Sequence, residues 1–415
     1  MSVGIAILGL ALLVFVHEAG HFLTARAVGM RPRRFYVGFP PALVKAKRKG
    51  IEYGIGAIPL GGYVKIPGMH RPAPSDLDVH FGAAQVEAPL LVGPVERVKR
   101  LVEHGEFAAA REELPELVGA VKRARLSPRT RRAGERGVEE IGDALAPDAY
   151  WRQRTWKRLA VIFAGPATNL VFAIVLLAVV YMIGIPFDAS RRVERVSTKL
   201  EGKPSPAARA GLRPGDVVIG VDYQAKLNFK QVSEAIRDSK GKPIVLNILR
   251  NGVAHVIGPL RATKTSSGYY AVGFEPAGIR YRSYGPLHAF NLALGDTWTV
   301  TKGIGSAVGR IVTGSGRKEV STPVGIVSES SKAVKTDYRD YLQVLAVISL
   351  SLALLNLLPF LPLDGGHMAF SVIEGIRGRA VGRSVYERAS AVGIAIVLLL
   401  FFVGLSNDIG RLSGG

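Results

Sequence analysis

The stretch LLVFVHEAGHFLTAR, residues 12–26, sets two histidines and a glutamate inside a run otherwise apolar enough to enter a membrane. Ionisable side chains at membrane depth are costly, so they face a cavity or a partner and mark function. His17, Glu18 and His21 spell H-E-x-x-H on an expected helix. At 3.6 residues per turn, positions four apart stand about 40° apart around the axis, so both imidazoles can meet one ion. Glu18 projects to the neighbouring side, where a carboxylate can take a proton from water. The string alone leaves open a plainer alternative, two histidines hydrogen-bonded between helices.

The 415-residue chain is long enough for two or three folding units. Its apolar residues (48%) gather in blocks, four of which approach membrane-spanning length: about 2–22, 159–185, 342–362 and 389–405. The first lacks a basic n-region and a small-residue cleavage site, so a retained span is expected rather than a signal peptide. The net charge of +21 invites a nucleic-acid reading, but the basic residues are spread over every loop without one dense stripe interleaved with aromatics. Much of the excess sits beside span ends, in RAVGMRPRR, RQRTWKR and EGIRGRAVGR, where anionic headgroups and the positive-inside rule place it. Residues 23–158 and 375–388 are accordingly expected in the cytoplasm and 186–341 outside. With no cysteine, disulfides and thiolate metal sites are excluded.

Beyond the first block, EYGIGAIPLGGYVKIPGM (52–69) alternates apolar with small or polar residues, and its paired Gly61 and Gly62 suggest short strands with a turn. Residues 95–126 carry apolar positions at helical spacing, which predicts two amphipathic helices broken near Gly105 or Pro115. SPRTRRAGERG (127–137) reads as a flexible basic linker. Residues 188–280 predict a small β-rich domain with short helices, and 285–313 an amphipathic, glycine-rich segment suited to a membrane surface.

A zinc site needs a third protein ligand. His70, His80, His104, His255 and His288 fall in soluble segments. The remaining candidates lie in NLLPFLPLDGGHMAF (356–370), where Asp364 follows an apolar run broken by Pro359 and Pro362, and His367 competes with it. Asp364 also reads as an ordinary N-cap for the helix that follows.

Taken together, HEAGH in the first span, IPLGGYVKIPGM after it, FAGPATN opening the second, PVGI at 323–326 and NLLPFLPLDGGH in the third occur in one order. The chain in this respect resembles the bacterial site-2 protease family of intramembrane zinc metalloproteases. The resemblance covers nearly the whole chain apart from an insert at about 70–147. It implies a polytopic α-helical membrane protein of about four transmembrane helices, with a membrane-associated β-hairpin, an extracytoplasmic PDZ-like α+β domain and a cytoplasmic helical insert. The implied division is 1–69 for the first span and hairpin, 70–150 for the insert and basic linker, and 151–187 for the second span. It continues with 188–280 for the PDZ-like domain, 281–340 for an amphipathic linker and 341–415 for the last two spans.

Carried over by position, the resemblance makes His17, His21 and Asp364 the Zn2+ ligands, in preference to His367, and Glu18 the catalytic base. It places Gly61, Gly62, Tyr63 and Asn356 against the substrate backbone, and marks Gly165, Pro166 and Asn169 as a structural loop beside the site. The implied substrates are single-span membrane proteins, of the anti-sigma factor or remnant signal peptide type, cut in the bacterial inner membrane; the PDZ-like domain would take a peptide or protein ligand or act as a size filter. Nucleic acid is not an implied partner. Thr322 stands where the family usually has glycine, and the insert is longer than the family's loop. Two rivals are weaker: an inactive PDZ scaffold would not keep the histidine and aspartate set, and a metal transporter would need ionisable residues in the second and fourth blocks, which contain none.

Overall fold

A computed structural model describes residues 1–265, 268–317 and 320–413. The chain divides into two compact units, Met1–Ile174 with Thr297–Leu405, and Val175–Asp296 with Ser406–Gly415. It is mostly helical, and among the described residues four helices are long and apolar enough to cross a membrane: Ser2–Ala27, Thr155–Ile183, Tyr338–Asn356 and Ser384–Gly410. Helix α1 (Ser2–Ala27) is apolar nearly all round and leaves Ile7, Leu8, Leu12 and Phe15 exposed, the pattern of a helix whose outer solvent is lipid.

After α1 the chain forms a long hairpin, β1 (Arg34–Arg48) and β2 (Ile51–Lys65). The turn lies at Lys49 and Gly50, both at positive φ, while Gly61 and Gly62 sit within the strand, so the turn expected at the paired glycines is displaced. The hairpin also folds over itself. Residues 34–37 pair with 62–65 on one side and with 52–55 on the other, and 44–48 pair with 51–55. Segment 62–65 is therefore an outer edge. Glycines allow the fold: a Cβ at Gly54 would enter the Tyr36 ring, and one at Gly62 would lie 2.6 Å from the Tyr36 carbonyl oxygen.

The insert holds five α-helices, α2 (Pro74–Glu87), α3 (Val92–Glu103), α4 (Phe107–Glu112), α5 (Leu114–Arg123) and α6 (Pro128–Leu145), and three of them, α3 to α5, cover the stretch where two are expected. The expected break near Gly105 is present, but the basic linker is not a linker. It forms the start of α6, because Ser127 caps the helix by accepting the Thr130 N–H, Pro128 occupies the first turn, and Glu87 accepts hydrogen bonds from Ser127 and Thr130. Its arginines lie beside a buried stripe of Thr130, Gly134, Gly137 and Ile141. The insert has its own core, built on Leu77, Phe81, Leu91, Val98, Leu117 and Ile141. Ion pairs tie α6 to the hairpin: Glu139 meets Arg34 (2.9 Å) and Lys65 (2.6 Å), and Asp143 meets Arg33 (2.8 Å) and Lys65 (3.1 Å).

Helix α7 (Thr155–Ile183) follows, and later in the first unit the third span ends at Asn356 rather than near 362. Pro359 and Pro362 have no N–H to continue a helix, so 357–363 turns irregularly before the Asp364–Arg377 helix begins. The N-cap of that helix is Leu363; Asp364 is its first helical residue and makes no cap bond. Thr322 caps the Pro323–Thr336 helix through its side chain, which accounts locally for threonine at that position.

The second unit contains a four-stranded sheet in the order 253–261, 243–250, 217–221, 224–225, all antiparallel. The Phe229–Asp238 helix opens on a capping box of Asn228 and Gln231, and its Val232 and Ile236 join Val218, Leu246 and Ile248 in the core. The segment expected to lie along a membrane surface forms a single long helix, Pro286–Val312.

Candidate metal centre

His17 and His21 lie one turn apart on the face of α1 turned into the first unit, and both are buried. Asp364 arrives from the start of its helix. His17 Nε2 and His21 Nε2 are 3.2 Å apart, and Asp364 Oδ2 is 3.2 Å from the first and 3.4 Å from the second. Three ligands about 2.05 Å from a tetrahedral zinc stand roughly 3.3–3.4 Å from one another, so the triangle has the right size for that ion. Asp364 Oδ2 is also buried without a hydrogen-bond partner among the described residues, an arrangement that is costly unless a cation completes it. The donor set therefore fits zinc.

The outer ring nitrogens are held as well. His21 Nδ1 donates to the Val161 carbonyl at 2.8 Å, which leaves the Nε2 lone pair facing the triangle. His17 Nδ1 faces the Asn169 amide at 3.3 Å, and Asn169 Oδ1 is buried without a partner. With that amide turned so that Oδ1 faces the ring, it accepts the His17 Nδ1 proton and both imidazoles present lone pairs inward.

Helix α7 fits closely against α1. A Cβ at Gly20 would lie 2.5 Å from the Ala164 carbonyl oxygen, and Thr168 Oγ1 donates to Gly165 O (2.8 Å) and lies 3.1 Å from Val16 O. Gly165 passes directly over the imidazoles, where a Cβ would overlap His21 Nε2. The motif FAGPATN (163–169) is not a loop but continuous helix within α7, with Pro166 inside it, and Ser349 Oγ from the third span donates to the Asn169 carbonyl at 2.8 Å.

A cavity of about 400 Å³ opens beside the triangle. Glu18, Gly61, Gly62, Tyr63, Asn356 and His367 all line it, together with the three clustered residues. Every residue singled out in the sequence for chemistry or substrate contact is thus brought to one place. Glu18 lies against the outer hairpin edge, its Cγ 2.8 Å from where a Gly62 Cβ would be. His367 lines the cavity but stands outside the triangle, with its Nδ1 2.5 Å from the Tyr386 hydroxyl. The sequence reading did not assign the contacts of Gly165 and Asn169 to the histidines. What marked them was the resemblance of FAGPATN to a family motif beside the site, together with a small residue and an amide at adjacent turns of an apolar helix.

A donor triangle sized for a metal ion, a carboxylate beside it and a strand edge thus meet at one cavity lined in part by three helices long and apolar enough to cross a membrane. The family model described as Peptidase family M50 matches residues 5–400, and the chain belongs to that family. It is 31% identical to the Regulator of sigma-E protease RseP of Salmonella typhimurium over 98% of both chains. It is 30% identical to the zinc metalloprotease Rip1 of Mycobacterium tuberculosis, covering 96% of this chain and 91% of that one.

Proposed function

We propose that this chain is an intramembrane zinc metalloendopeptidase that cuts single-span membrane proteins within or near the span. The observation that carries the reading is the triangle of His17 Nε2, His21 Nε2 and Asp364 Oδ2, sized for zinc, with both histidines on an apolar helix. His17, His21 and Asp364 would hold the ion. When bound, zinc acts as a Lewis acid that polarises the scissile carbonyl and makes water acidic enough to attack near neutral pH. Glu18 accepts the proton of the attacking water and returns it to the leaving amide nitrogen.

A transmembrane helix must open its backbone hydrogen bonds before a peptide bond is reachable. The outer edge at Gly61, Gly62 and Tyr63 supplies replacement partners by strand addition, and the small residues let the substrate backbone approach Glu18. The Asn356 amide donates and accepts at once, which suits an extended chain on the opposite wall. In the bacterial inner membrane the basic span flanks favour a cytoplasmic insert and access to the centre from the cytoplasm, and the β-rich residues 188–280 serve outside the cytoplasm as a PDZ-like size filter or peptide sensor. A relative named as a regulator of sigma-E makes an anti-sigma factor type of substrate the first to try, ahead of remnant signal peptides.

The experiment is to incubate the detergent-solubilised chain with a single-span model substrate and map the product termini by mass spectrometry. Cuts inside or at the border of the span are expected. Cuts confined to soluble flanks would sink the intramembrane reading.

A further inference from the structure

A second cavity of the first unit, about 550 Å³, is built by segments 69–73, 150–158 and 370–386. These segments adjoin the starts of the candidate spans Thr155–Ile183 and Ser384–Gly410. A bilayer holding both spans therefore puts the cavity at headgroup depth. Trp156, 57% exposed on the first turn of α7, is the kind of aromatic side chain that settles at that level.

The cavity is cationic. Arg71, Arg158 and Arg379 line it against one carboxylate, Glu374. Both Glu374 oxygens are already engaged, Oε2 by Arg158 Nη2 at 2.5 Å and Oε1 by the Val381 N–H at 3.0 Å. Arg158 is only 9% exposed, and its Nε–H has no acceptor among the described residues. Its Nη2 also reaches Ser371 Oγ at 3.1 Å, which fixes the guanidinium while its buried Nε–H stays without an acceptor among the described residues. Arg71 stacks on the Phe107 and Trp151 rings, and neither it nor Arg379 forms an ion pair among the described residues.

From this combination we infer that the cavity binds the phosphodiester headgroup of an anionic phospholipid. A buried arginine with a spare donor and two arginines without carboxylate partners supply the recognition, because guanidinium groups match phosphate oxygens geometrically. Basic pockets between span ends are where such headgroups bind. The acyl chains run outward past Trp156 and the exposed Ile376 and Val385, which neighbour the lining residues in sequence. Tyr386 lines this cavity and contacts His367 of the catalytic cavity, so the two spaces share a wall.

Free phosphate offers the same anion, and the test separates the two sources. The full chain in detergent is titrated with phosphatidylglycerol or phosphatidylcholine and followed by native mass spectrometry. One phosphatidylglycerol retained in preference to phosphatidylcholine is expected. The Arg71→Gln/Arg379→Gln pair, exposed and outside any ion pair, should weaken that binding by about thirtyfold, the effect of removing two cations at a membrane surface. Arg123→Gln/Arg132→Gln, outside the cavity, should leave it within threefold. No retained lipid, equal retention of phosphatidylcholine, or equal loss in the two pairs would overturn the inference. Displacement of the lipid by millimolar inorganic phosphate would reassign the cavity to a soluble phosphate.

Discussion

Replacing Gly165 by alanine adds one carbon at the most crowded point of the proposed zinc site. The new Cβ would overlap His21 Nε2 and lie 2.6 Å from His21 Cε1 and 2.9 Å from His17 Cε1. Carbon atoms settle at about 3.5 Å, so the His21 ring must give way by roughly 0.9 Å or α7 must retreat by as much. The ring has no free direction in which to do so, since Nδ1 is bonded to the Val161 carbonyl of the same helix at 2.8 Å. Overpacking of this kind costs about 1–3 kcal/mol. A comparable displacement in the 3.2–3.4 Å triangle spoils its match to the ion, with a loss of roughly tenfold to hundredfold in zinc affinity. Cleavage should fall by about a hundredfold, the usual effect of an ångström of misplacement. The assay is competition for zinc against a coloured chelator, run beside cleavage of a model substrate. A Gly165→Ala chain that binds zinc within twofold of the parent and cleaves at the parent rate would refute the argument that α7 sets the ligand geometry.

Other substitutions probe separate links. Asn169→Leu should weaken zinc binding about tenfold by removing the partner of His17 Nδ1, whereas Asn169→Asp, which can only accept, should keep it; equal affinities in the two variants would dismiss Asn169 as a positioning residue. Glu139→Lys should lower kcat/KM for a membrane substrate while leaving zinc content intact, because it opposes Arg34 and Lys65 at the hairpin edge, and Lys65→Glu in the same chain should restore part of the loss. Absence of any rescue would mean that α6 does not position the edge through this pair. In the second unit, burial raises the Asp216 pKa, but hydrogen bonds from Arg250 and the Arg213 N–H outweigh it and hold the carboxyl below its usual value. The stabilisation is thus present above the unfolded carboxyl's pKa of about 4 and lost as pH falls through the lower folded value. Hydrogen-exchange protection factors of strands 217–221 and 243–250, corrected for the intrinsic rate at each pH, should fall on acidification below that point in the parent and show a weaker pH dependence in Asp216→Asn.

The parts of the fold that the sequence revealed were those written in strong local patterns. Apolar blocks mark the four long apolar helices to within about six residues at each end, and the helical spacing of His17 and His21 by itself implies a shared face. The third corner of the triangle was harder, since Asp364 and His367 both follow the same proline-broken run and local pattern does not say which turns inward. The irregular segment 357–363 and the start of the helix at Asp364 decide it, and these depend on tertiary packing. The basic stretch after Ser127 has the charge density of a linker, yet a serine cap and a buried stripe that includes Gly134 and Gly137 make it helical. The doubled-over hairpin could not have been deduced from alternation alone, because each strand pairs at two registers. Asn169 and Gly165 gained meaning only when α7 was laid against α1.

The most direct measurement is cleavage of a single-span substrate by the parent chain and by Glu18→Gln, with bound zinc quantified in both. The expected result is about one zinc per chain in each protein and cleavage by the parent alone, since Glu18 moves the proton while His17, His21 and Asp364 hold the ion. A correctly folded parent without stoichiometric metal, or a Glu18→Gln chain that cleaves as fast as the parent, would contradict it.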